Sequence, residues 1–579
     1  MKYEFTAKVW NYSSTVGTGG WHIACLPKEM SKEIRENLGF LEEGWGRLKM
    51  TAKIGNTQWE TAIWFDTKLD TYLLPLKAEI RKKEKIEESV LKTYQASNPS
   101  LYYVYEVIGD YYETMQQPQQ AIAYWQQALK RPIPKLQEKE RIQQKIQKQS
   151  KNPEIQFRSP EDIKSYQEEQ LAKALAYLQA HSKFYQQMFA EHHIDINQIK
   201  TIEDLQQIPV TTKTDLQLHN DDFICVDKEE IIDYVTTSGT LGDPVTFVLT
   251  SEDLDRLSYN EYLSFTTTGC TKQDILQLMT TIDRRFMAGL AYYMGARELG
   301  MGVIRVGNGI PELQWDTIRR IHPTCGMVVP SFLIKLIEFA EKNHIDHNTC
   351  SMQKCICIGE ALRNQEFQLN TLGQKIHDKW PALQLYSTYA STEMQSSFTE
   401  CNEFHGGHLQ PELIIVEFLD DNNRPVEEGE AGEVTITTLG VKGMPLLRFK
   451  TGDICYHHTE PCGCGRNTIR LSSILGRKGQ MIKYKGTTLY PPALFDILDN
   501  IPSVKNYIIE VYTNELGTDE ILIRIGSENR SEAFAKEIKD LFRSKVRVAP
   551  SINFESAEYI AKIQMPPMSR KTIKFIDLR

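Results

Sequence analysis

The first 88 residues alternate apolar and polar side chains with the period of β-strands. The alternation is clear in three segments, residues 3–10, 46–54 and 59–65, which are separated by Gly and Asn. One segment, residues 28–38, instead has its apolar side chains at helical spacing. Because strands with a single apolar face must cover a common core, the pattern predicts a small, mostly β barrel over residues 1–88.

Residues 89–150 change to a sequence rich in Gln, Lys and Tyr with the spacing of paired helices. The positions of one tetratricopeptide-like repeat are occupied by Tyr105, Ile108, Gly109, Tyr112, Ala121, Trp125 and Ala128. Small residues at such positions let two helices cross closely, and aromatic side chains fill the groove between them. A single repeat cannot bury its own apolar face. We therefore expect a helical linker rather than a peptide-binding groove, which needs several repeats.

From residue 155 onward, apolar strand-like runs alternate with amphipathic helices, for example over residues 164–181 and 331–343. That alternation is typical of α/β domains. Gly476 is the expected boundary to a smaller α+β lid. The sequence therefore predicts four parts: the β barrel of residues 1–88, the helical linker of residues 89–150, a large α/β domain of residues 151–475 and an α+β lid of residues 476–579.

The composition is that of an ordinary globular protein, with 41% hydrophobic and 25% charged residues in a chain of 579. A net charge of -9 argues against nucleic acid as a partner, because phosphate backbones attract basic surfaces. No run of ~18 apolar residues is present, so no membrane-spanning helix is expected. The first residues lack the apolar segment of a signal peptide, and the 11 cysteines suit a reducing compartment. We therefore expect a cytoplasmic protein.

A run of hydroxyl side chains and glycines over residues 235–244 is the first chemical feature. It contains Thr236, Thr237, Ser238, Gly239, Thr240 and Gly242. Glycines let backbone N–H groups turn toward a ligand and the hydroxyls add donors, so the run suits phosphate oxygens. It is not a Walker loop, since no Gly-Lys-Ser/Thr closes it. Taken alone, it is also typical of a plain turn between two strands.

Further motifs follow this loop in a fixed order. They are Gly359-Glu360, Tyr389-Ala-Ser-Thr-Glu393, Arg448-Phe-Lys-Thr-Gly-Asp453, Gly476-Arg477 and a C-terminal segment with Lys571 and Lys574. The ordered set resembles the phenylacetate–coenzyme A ligase family, a branch of the AMP-forming acyl-coenzyme A synthetases. The resemblance covers residues 151–579 and is far more specific than any single motif. Residues 1–88 resemble small bacterial domains of unknown function.

The resemblance implies a nucleotide site. The nucleotide-binding residues would be Thr237, Ser238, Gly239, Thr240, Gly242, Gly359, Glu360, Tyr389, Asp453 and Arg477. Within that set, Tyr389 would lie against adenine, Asp453 would accept both ribose hydroxyls, and Arg477 would support the ribose or phosphate side. Two catalytic residues would lie beside them, with Thr392 on the α-phosphate and Glu393 holding Mg²⁺, a hard cation that prefers carboxylates.

The resemblance also implies a mobile lid and a two-step reaction. Lys571 would be the catalytic lysine, whose ammonium stabilises charge as pyrophosphate leaves, with Lys574 as its rival. The lid would rotate about Gly479, and Gly486 would then admit the thiol of coenzyme A. The implied activity is ATP-dependent formation of an acyl-adenylate from a carboxylic acid, followed by thioester formation with coenzyme A.

Several positions depart from the family pattern. Leu241 and Asp243 replace the Thr and Lys of the usual Thr-Gly-Lys, so a carboxylate stands where a cation would face triphosphate. Ala390 replaces the glycine of the Tyr-Gly-x-Thr-Glu motif, and Gly479-Gln480 replaces an acidic pair at the hinge. These departures motivate one alternative function, a catalytically decayed ligase that acts as a scaffold.

The acid implied by the resemblance is aromatic or aryl-aliphatic, and residues 286–295 resemble the family's substrate-facing segment. There, Gly289 and Gly295 would let a planar group approach, although aromatic residues at helical spacing are also typical of a core. A second alternative hands the acyl group to an acyl carrier protein or an amine. The assembly stays open between a monomer and a homodimer.

A second constellation is independent of the nucleotide motifs. Cys401 and His408 form one short-range pair, and Cys462 and Cys464 form another. Three thiolates and one imidazole complete a tetrahedral zinc site of the structural kind. His405 competes for the imidazole position. The alternative is a set of buried free cysteines.

Overall fold

The computed structural model describes the chain except for residues 1, 6, 8, 13–20, 43–46, 68, 78, 81–91, 93–94, 97, 116, 136, 140, 143–144, 146–150, 238–244, 485–486, 515–517 and 566–571. The chain forms two compact units, residues 1–152 and 153–579. Each unit has hydrophobic cores of its own. None of the described helices combines the length and the apolar character needed to cross a bilayer.

The first unit begins with a five-stranded antiparallel sheet. Its strands are β1 (Val9–Tyr12), β2 (Trp21–Cys25), β3 (Arg47–Ile54), β4 (Thr57–Asp66) and β5 (Thr71–Pro75). They lie in the order β1-β2-β5-β4-β3, and helix α1 (Lys28–Leu38) joins their core through Ile34. The expected small β domain is confirmed. In the described part of the sheet β1 and β3 are the edges, so closure into a barrel stays a prediction.

The helical spacing of residues 28–38 predicts α1 with its observed bounds, but the alternation pattern does not predict β2 or β5. The reason is visible at β5, a central strand in which Tyr72, Leu73 and Leu74 are all buried. A strand covered on both faces has a continuous apolar run, and period-2 alternation cannot reveal it.

The rest of the first unit's described core is formed by two helices, α2 (Tyr102–Thr114) and α3 (Pro118–Leu129). They cross closely at Gly109, where an added Cβ would lie 2.3 Å from the Trp125 ring. The buried Trp125 indole donates to the Glu106 carbonyl at 3.1 Å and to the Asp110 carboxylate at 2.9 Å. The expected close crossing is present, while the assignment as a tetratricopeptide-like linker stays a prediction.

The second unit contains three larger sheets and two hairpins in its described part. In chain order the strands are β6 (Asp233–Thr236), β7 (Thr246–Leu249), β8 (Ile275–Leu278), β9 (Gly302–Arg305), β10 (Cys325–Val328), β11 (Lys354–Ile358), β12 (Gln384–Ser391), β13 (Ser396–Glu400), β14 (Gly407–His408), β15 (Ile414–Leu419), β16 (Gly432–Thr438), β17 (Phe449–Cys455), β18 (His457–His458), β19 (Arg470–Leu471), β20 (Gly476–Arg477), β21 (Ile482–Tyr484), β22 (Thr487–Leu489), β23 (Asn506–Thr513), β24 (Asp519–Gly526), β25 (Ser551–Glu555) and β26 (Phe575–Asp577).

The largest sheet has nine strands in the order β18-β19-β14-β13-β12-β11-β10-β8-β9. The five strands β12, β11, β10, β8 and β9 are parallel to one another. The other four, β13, β14, β19 and β18, continue the sheet with antiparallel pairing. A second, antiparallel sheet runs β15-β16-β17-β20, and a third runs β25-β24-β23-β26. The hairpins are β6-β7 and β21-β22. The α/β class predicted for this part of the chain is confirmed.

Helices of the second unit connect and cover these sheets. They are α4 (Pro160–His181), α5 (Lys183–Glu191), α6 (Lys213–Leu218), α7 (Ser251–Thr267), α8 (Met287–Leu299), α9 (Pro311–Ile321), α10 (Pro330–Lys342), α11 (Thr371–Lys379), α12 (Pro491–Asp499), α13 (Glu532–Val546) and α14 (Ala557–Gln564). The helix expected at residues 164–181 begins earlier, at Pro160, because the Ser159 side chain accepts the Asp162 N–H and caps it.

Helix α7 is buried along most of its length, and its polar side chains tie the sheets together. The guanidinium of Arg256 donates to the carbonyls of Leu439, Gln395 and Leu413 at 2.7, 2.5 and 2.5 Å. One turn later, the Asn260 carbonyl oxygen accepts the Ser397 N–H at 3.0 Å. A buried guanidinium with satisfied donors can join three segments, so α7 fixes the turn after β12 relative to β15 and β16.

The C-terminal portion continues directly from the second sheet. β20 pairs with β17, and a single 3-10 turn, Lys478–Gln480, separates β20 from β21. The remaining strands, α12 and α13 enclose a separate hydrophobic cluster that includes Leu494, Ile523 and Phe542. The lid boundary at residue 476 stays a prediction, because residues 153–579 form one compact unit.

Candidate active site

The carboxyl ends of the parallel strands gather the predicted motifs at one edge of the nine-stranded sheet. Gly359 and Glu360 follow β11, and Tyr389 lies near the end of the neighbouring β12. Loops at this edge of a parallel sheet form the usual ligand crevice of open α/β folds. The motifs that are far apart in sequence therefore open onto a common space.

Asp453 is the centre of the best-defined polar group at this edge. It lies on β17, directly opposite Arg477 of β20. Arg477 Nε donates to Asp453 Oδ1 at 3.1 Å, and the Tyr389 hydroxyl donates to Asp453 Oδ2 at 2.7 Å. Burial and the Asp453 charge together raise the pKa of Tyr389 well above its usual value, so the tyrosine stays a donor. Three residues implied separately by the sequence are brought into contact.

Thr392 and Glu393 lie in the tight turn between β12 and β13. The Glu393 carboxylate is 3.8 Å from Nζ of Lys213, the first residue of α6. The start of α6 is fixed by a capping box between Thr212 and Asp215, in which each side chain accepts the other's backbone N–H. A carboxylate and an ammonium therefore face the same space beside Thr392.

Lys213 is a candidate site residue that the sequence does not predict. Its helix is anchored to β17, because Thr211 exchanges backbone hydrogen bonds with Arg448 and Lys450 at 2.9 and 2.8 Å. The capping box at 212–215 is readable from sequence and predicts a helix start. The pairing with a residue far downstream is tertiary, so no local signal could have assigned it.

Glu360 has a partner of its own in the structure. Its Oε2 accepts the backbone N–H of Ser331 at 2.8 Å, at the start of α10. The preceding Gly359 has a φ of +77°, a left-handed conformation that favours glycine. This pair therefore positions the strand-to-helix loops, and its contact with a nucleotide stays a prediction.

Only the base of the expected phosphate loop belongs to the described residues. Thr237 pairs with Val245: its N–H donates to the Val245 carbonyl at 3.0 Å and its hydroxyl oxygen accepts the Val245 N–H at 3.0 Å. Six predicted or departing positions of the loop lie outside the described residues, namely Ser238, Gly239, Thr240, Leu241, Gly242 and Asp243.

The catalytic lysine expected at Lys571 and the thiol-access glycine expected at Gly486 also lie outside the described residues. The rival lysine is described. Lys574 Nζ contacts both oxygens of Asp499 at 3.1 and 3.3 Å and lies over the rings of Phe495 and Tyr507. Lys574 is thus engaged in the packing of α12 against β23.

The expected hinge glycine, Gly479, lies in the 3-10 turn after β20, and no atom would obstruct a Cβ there. Both flanks of the turn are held. Lys478 pairs with Asp421 at 2.6 Å, and Arg579 donates to the carbonyls of Met481 and Gly479 at 2.8 and 3.5 Å. Rotation about this turn would have to exchange those contacts.

Comparison with known proteins identifies the family of the chain. Residues 143–442 match the AMP-binding enzyme family, and residues 5–89 match DUF1905, a domain of unknown function. The chain belongs to the AMP-binding enzymes.

Curated relatives place it within the phenylacetate–coenzyme A ligase branch of that family. It is 30% identical to the phenylacetate-coenzyme A ligase of Thermus thermophilus over 67% of this chain and 85% of the relative. Identity to the corresponding ligase of Pseudomonas putida is 25% over 64% of this chain and 83% of the relative. This AMP-binding enzyme is accordingly an AMP-forming acid–thiol ligase that uses ATP and coenzyme A.

The fold is also similar to that of a solved acyl-CoA ligase. A 2-hydroxyisobutyryl-CoA ligase, solved in the postadenylation state, superimposes with a TM-score of 0.64 at 21% identity. The match covers 74% of this chain and 92% of that chain. The adenylate-forming ligase fold expected for residues 151–579 is therefore confirmed.

The cysteine and histidine cluster of this AMP-binding enzyme lies at the antiparallel end of the nine-stranded sheet. Cys401 follows β13, His408 belongs to β14, and Cys462 and Cys464 lie in the turn between β18 and β19. The four ligand atoms all lie within 4.8 Å of one another. The Cys401 and Cys462 sulfurs are 3.6 Å apart, and the Cys464 sulfur is 3.5 Å from His408 Nε2.

The electrostatics of the cluster favour ionised sulfur at one position. A hydrogen bond from the Cys401 thiol and another from the His408 ring hold the pKa of Cys464 well below its usual range. Arg466 Nη1 adds a donor to the same sulfur at 3.6 Å. His408 Nδ1 and the Thr468 hydroxyl form a hydrogen bond of 2.9 Å, which fixes the orientation of the imidazole ring. The rival His405 is not part of the described cluster.

The segment at residues 286–295 forms the first part of α8, and its glycines have a role different from the one expected. An added Cβ at Gly289 would lie 2.0 Å from the Thr281 carbonyl oxygen. The same atom at Gly295 would lie 2.2 Å from Cβ of Glu261 on α7. Protein atoms fill both gaps, so the expectation that a planar substrate group approaches there is wrong.

Proposed function

We propose that this AMP-binding enzyme activates an aromatic or aryl-aliphatic carboxylic acid with ATP and transfers the acyl group to the thiol of coenzyme A. The observation that carries the proposal is the Asp453 carboxylate held between Tyr389 and Arg477, beside the Thr392–Glu393 turn. The aromatic class of the acid is taken from the phenylacetate-coenzyme A ligases among the relatives.

Asp453 supplies the acceptor for the ribose of ATP. A carboxylate has two oxygens and can accept two hydroxyl groups at once, which matches a vicinal diol. Tyr389 and Arg477 orient the group, because each donates to a different oxygen of the carboxylate. Tyr389 would lie against adenine.

Thr392, Glu393 and Lys213 serve the phosphates. The donor set fits Mg²⁺, since Glu393 offers a partly accessible carboxylate oxygen, 13% exposed. Bound Mg²⁺ supplies positive charge to the phosphate oxygens. Lys213 lies 3.8 Å from that carboxylate and adds a second cation facing the same oxygens. The Thr392 hydroxyl would donate to the α-phosphate.

The lid provides the remaining groups in turn. We assign the catalytic ammonium to Lys571, because Lys574 is already paired with Asp499. Rotation about Gly479 replaces Lys571 at the active centre by the segment around Gly486, which admits the thiol. One lid cannot present both segments at once, so each half-reaction uses one orientation.

We assign structural zinc to the cluster of Cys401, His408, Cys462 and Cys464. Tetrahedral zinc with Zn–S near 2.3 Å and Zn–N near 2.1 Å requires about 3.8 Å between sulfurs and about 3.6 Å from sulfur to nitrogen. The observed 3.6 and 3.5 Å fit that geometry. A closed set of four protein ligands leaves no coordination position for substrate, so the metal would stabilise the fold and would not bind the carboxylic acid.

Acid-dependent release of pyrophosphate tests the proposal. Aryl and aryl-aliphatic acids should support release, with acyl-coenzyme A identified by mass, whereas fatty acids of similar size should be poor substrates. Thr392→Val should lose release, while the matched change Thr317→Val on α9, where the hydroxyl donates to the Leu313 carbonyl of the same helix, should keep it. Release without thioester, rescued by an amine or a carrier protein, would favour the alternative acceptor. No release with any acid would favour the scaffold.

A further inference from the structure

Two adjacent arginines, Arg284 and Arg285, lie in the turn that leaves the carboxyl end of β8 and precedes α8. The turn is therefore on the same edge of the parallel sheet as Gly359 and Tyr389. Both arginine side chains are exposed. They are charged groups at the active-site edge that the nucleotide motifs do not include.

The backbone of both arginines is in a conformation that L-residues rarely adopt. Their φ angles are +60° and +57°, which is the left-handed region. The turn is held by a hydrogen bond from the Thr236 N–H to the Arg285 carbonyl at 3.1 Å, and by the close approach of Gly289 to Thr281. Consecutive unfavourable residues persist only where the surroundings enforce them, and such sites are often functional.

The hydrogen bond to Thr236 links this turn to the phosphate loop. Thr236 ends β6, and the next residue, Thr237, is the first of the predicted nucleotide-binding residues. The run at residues 235–244 contains no Lys or Arg and includes the carboxylate Asp243. A triphosphate beside such a run needs cations from elsewhere in the fold.

The two guanidinium groups are available for that role. In the described part of the chain neither forms an ion pair or a side-chain hydrogen bond, unlike Arg319 and Arg320, which both pair with Asp316. Guanidinium groups bind phosphate oxygens with parallel hydrogen bonds.

We propose that Arg284 and Arg285 bind the β- and γ-phosphates of ATP and replace the cation that the phosphate loop lacks. The proposal rests on the proposed ATP-dependent activity. It assigns the pair to the step in which pyrophosphate is still attached, so the arginines act on adenylate formation and not on thioester formation.

The test compares nucleotides with and without these phosphates in the double variant Arg284→Ala/Arg285→Ala. Equilibrium binding of ATP should weaken about tenfold or more, while binding of AMP should change less than about twofold. The KM for ATP in pyrophosphate release should rise to match, with the KM for the acid unchanged. Thioester formation from supplied acyl-adenylate should keep its wild-type rate. Arg284→Lys/Arg285→Lys should recover part of the ATP affinity.

The matched control is Arg319→Ala/Arg320→Ala, which removes the same charge from exposed positions on α9. It should leave both nucleotide affinities unchanged. Equal weakening of ATP and AMP, or a raised KM for the acid in place of ATP, would overturn the proposal. Because ATP and AMP binding are measured without turnover, a protein with no acid-dependent activity would refute the proposed function and still test the arginines.

Discussion

Replacement of Cys464 by serine should remove the metal from the cluster and with it a cross-link in the chain. Cys401 and Cys462 are 61 residues apart in sequence, and zinc would close the loop between them. Closing a loop of that length lowers the conformational entropy of the unfolded chain. By the entropy formula used for disulfides, this stabilises the folded state by about 4 kcal/mol. Metal bound by the unfolded chain would reduce this value.

The expected result is a loss of about one zinc per chain together with a lower melting temperature. For a unit of this size, about 4 kcal/mol corresponds to roughly 5 °C if it unfolds in one step. Metal analysis by mass spectrometry and calorimetry under reducing conditions measure the two quantities on the same sample. The matched control is Cys455→Ser, which makes the same change at a buried thiol outside the cluster and should keep its zinc.

Three results would refute the reasoning. Wild-type protein without stoichiometric zinc would show that the cluster is a set of free cysteines. Zinc retained one-to-one in Cys464→Ser would remove that sulfur from the ligand set. Zinc lost with an unchanged melting temperature would mean that the metal does not cross-link the fold.

Other expectations concern the nucleotide, the lid and a buried acid. Asp453→Ala should weaken ATP binding by about 1.5–3 kcal/mol, which is measured as a higher KM for ATP. Lys450→Ala should raise this KM less, and equal effects of the two changes would remove Asp453 from the ribose site. Lys571→Ala should abolish adenylate formation but spare thioester formation from supplied adenylate, and the reverse assignment holds if only Lys574→Ala does so. Burial raises the pKa of Glu261 from 4.5 to about 8. The unfolded chain therefore loses this proton at a lower pH than the folded chain, and the free energy of unfolding falls as pH rises from 4.5 to 8. Glu261→Gln should therefore match wild type in urea unfolding at pH 4.5 but exceed it by at most about 5 kcal/mol at pH 8, and a constant difference would contradict this.

Short-range spacing and the order of the motifs along the sequence predict part of this structure. The Cys-Gly-Cys turn and the short spacing from Cys401 to His408 predict two ligand pairs, because the members of each pair are close in the chain; the contact between the pairs is tertiary, since Cys401 and Cys462 are 61 residues apart. The motif order identified the ligase family, and the family supplied the grouping of Tyr389, Asp453 and Arg477. Capping residues such as Thr212 mark where helices begin.

What the sequence could not supply depends on tertiary contacts. The proximity of Lys213 to Glu393 arises from a β17 contact that no local pattern encodes. Glycines at helical spacing are equally compatible with a ligand or a neighbouring helix, and only packing against Glu261 distinguishes the two for Gly295. Central strands such as β5 lose the alternation by which strands are recognised.

The contact between Asp453 and Arg477 has a consequence for the order in which products can leave. Arg477, which pairs with Asp453 of the neighbouring β17, lies on β20 two residues before Gly479, the proposed hinge. In the proposed function, a ribose bound to Asp453 would share the carboxylate with Arg477, so nucleotide binding would act on the contact next to the hinge. Release of AMP and rotation about Gly479 would then be coupled through the Arg477–Asp453 contact.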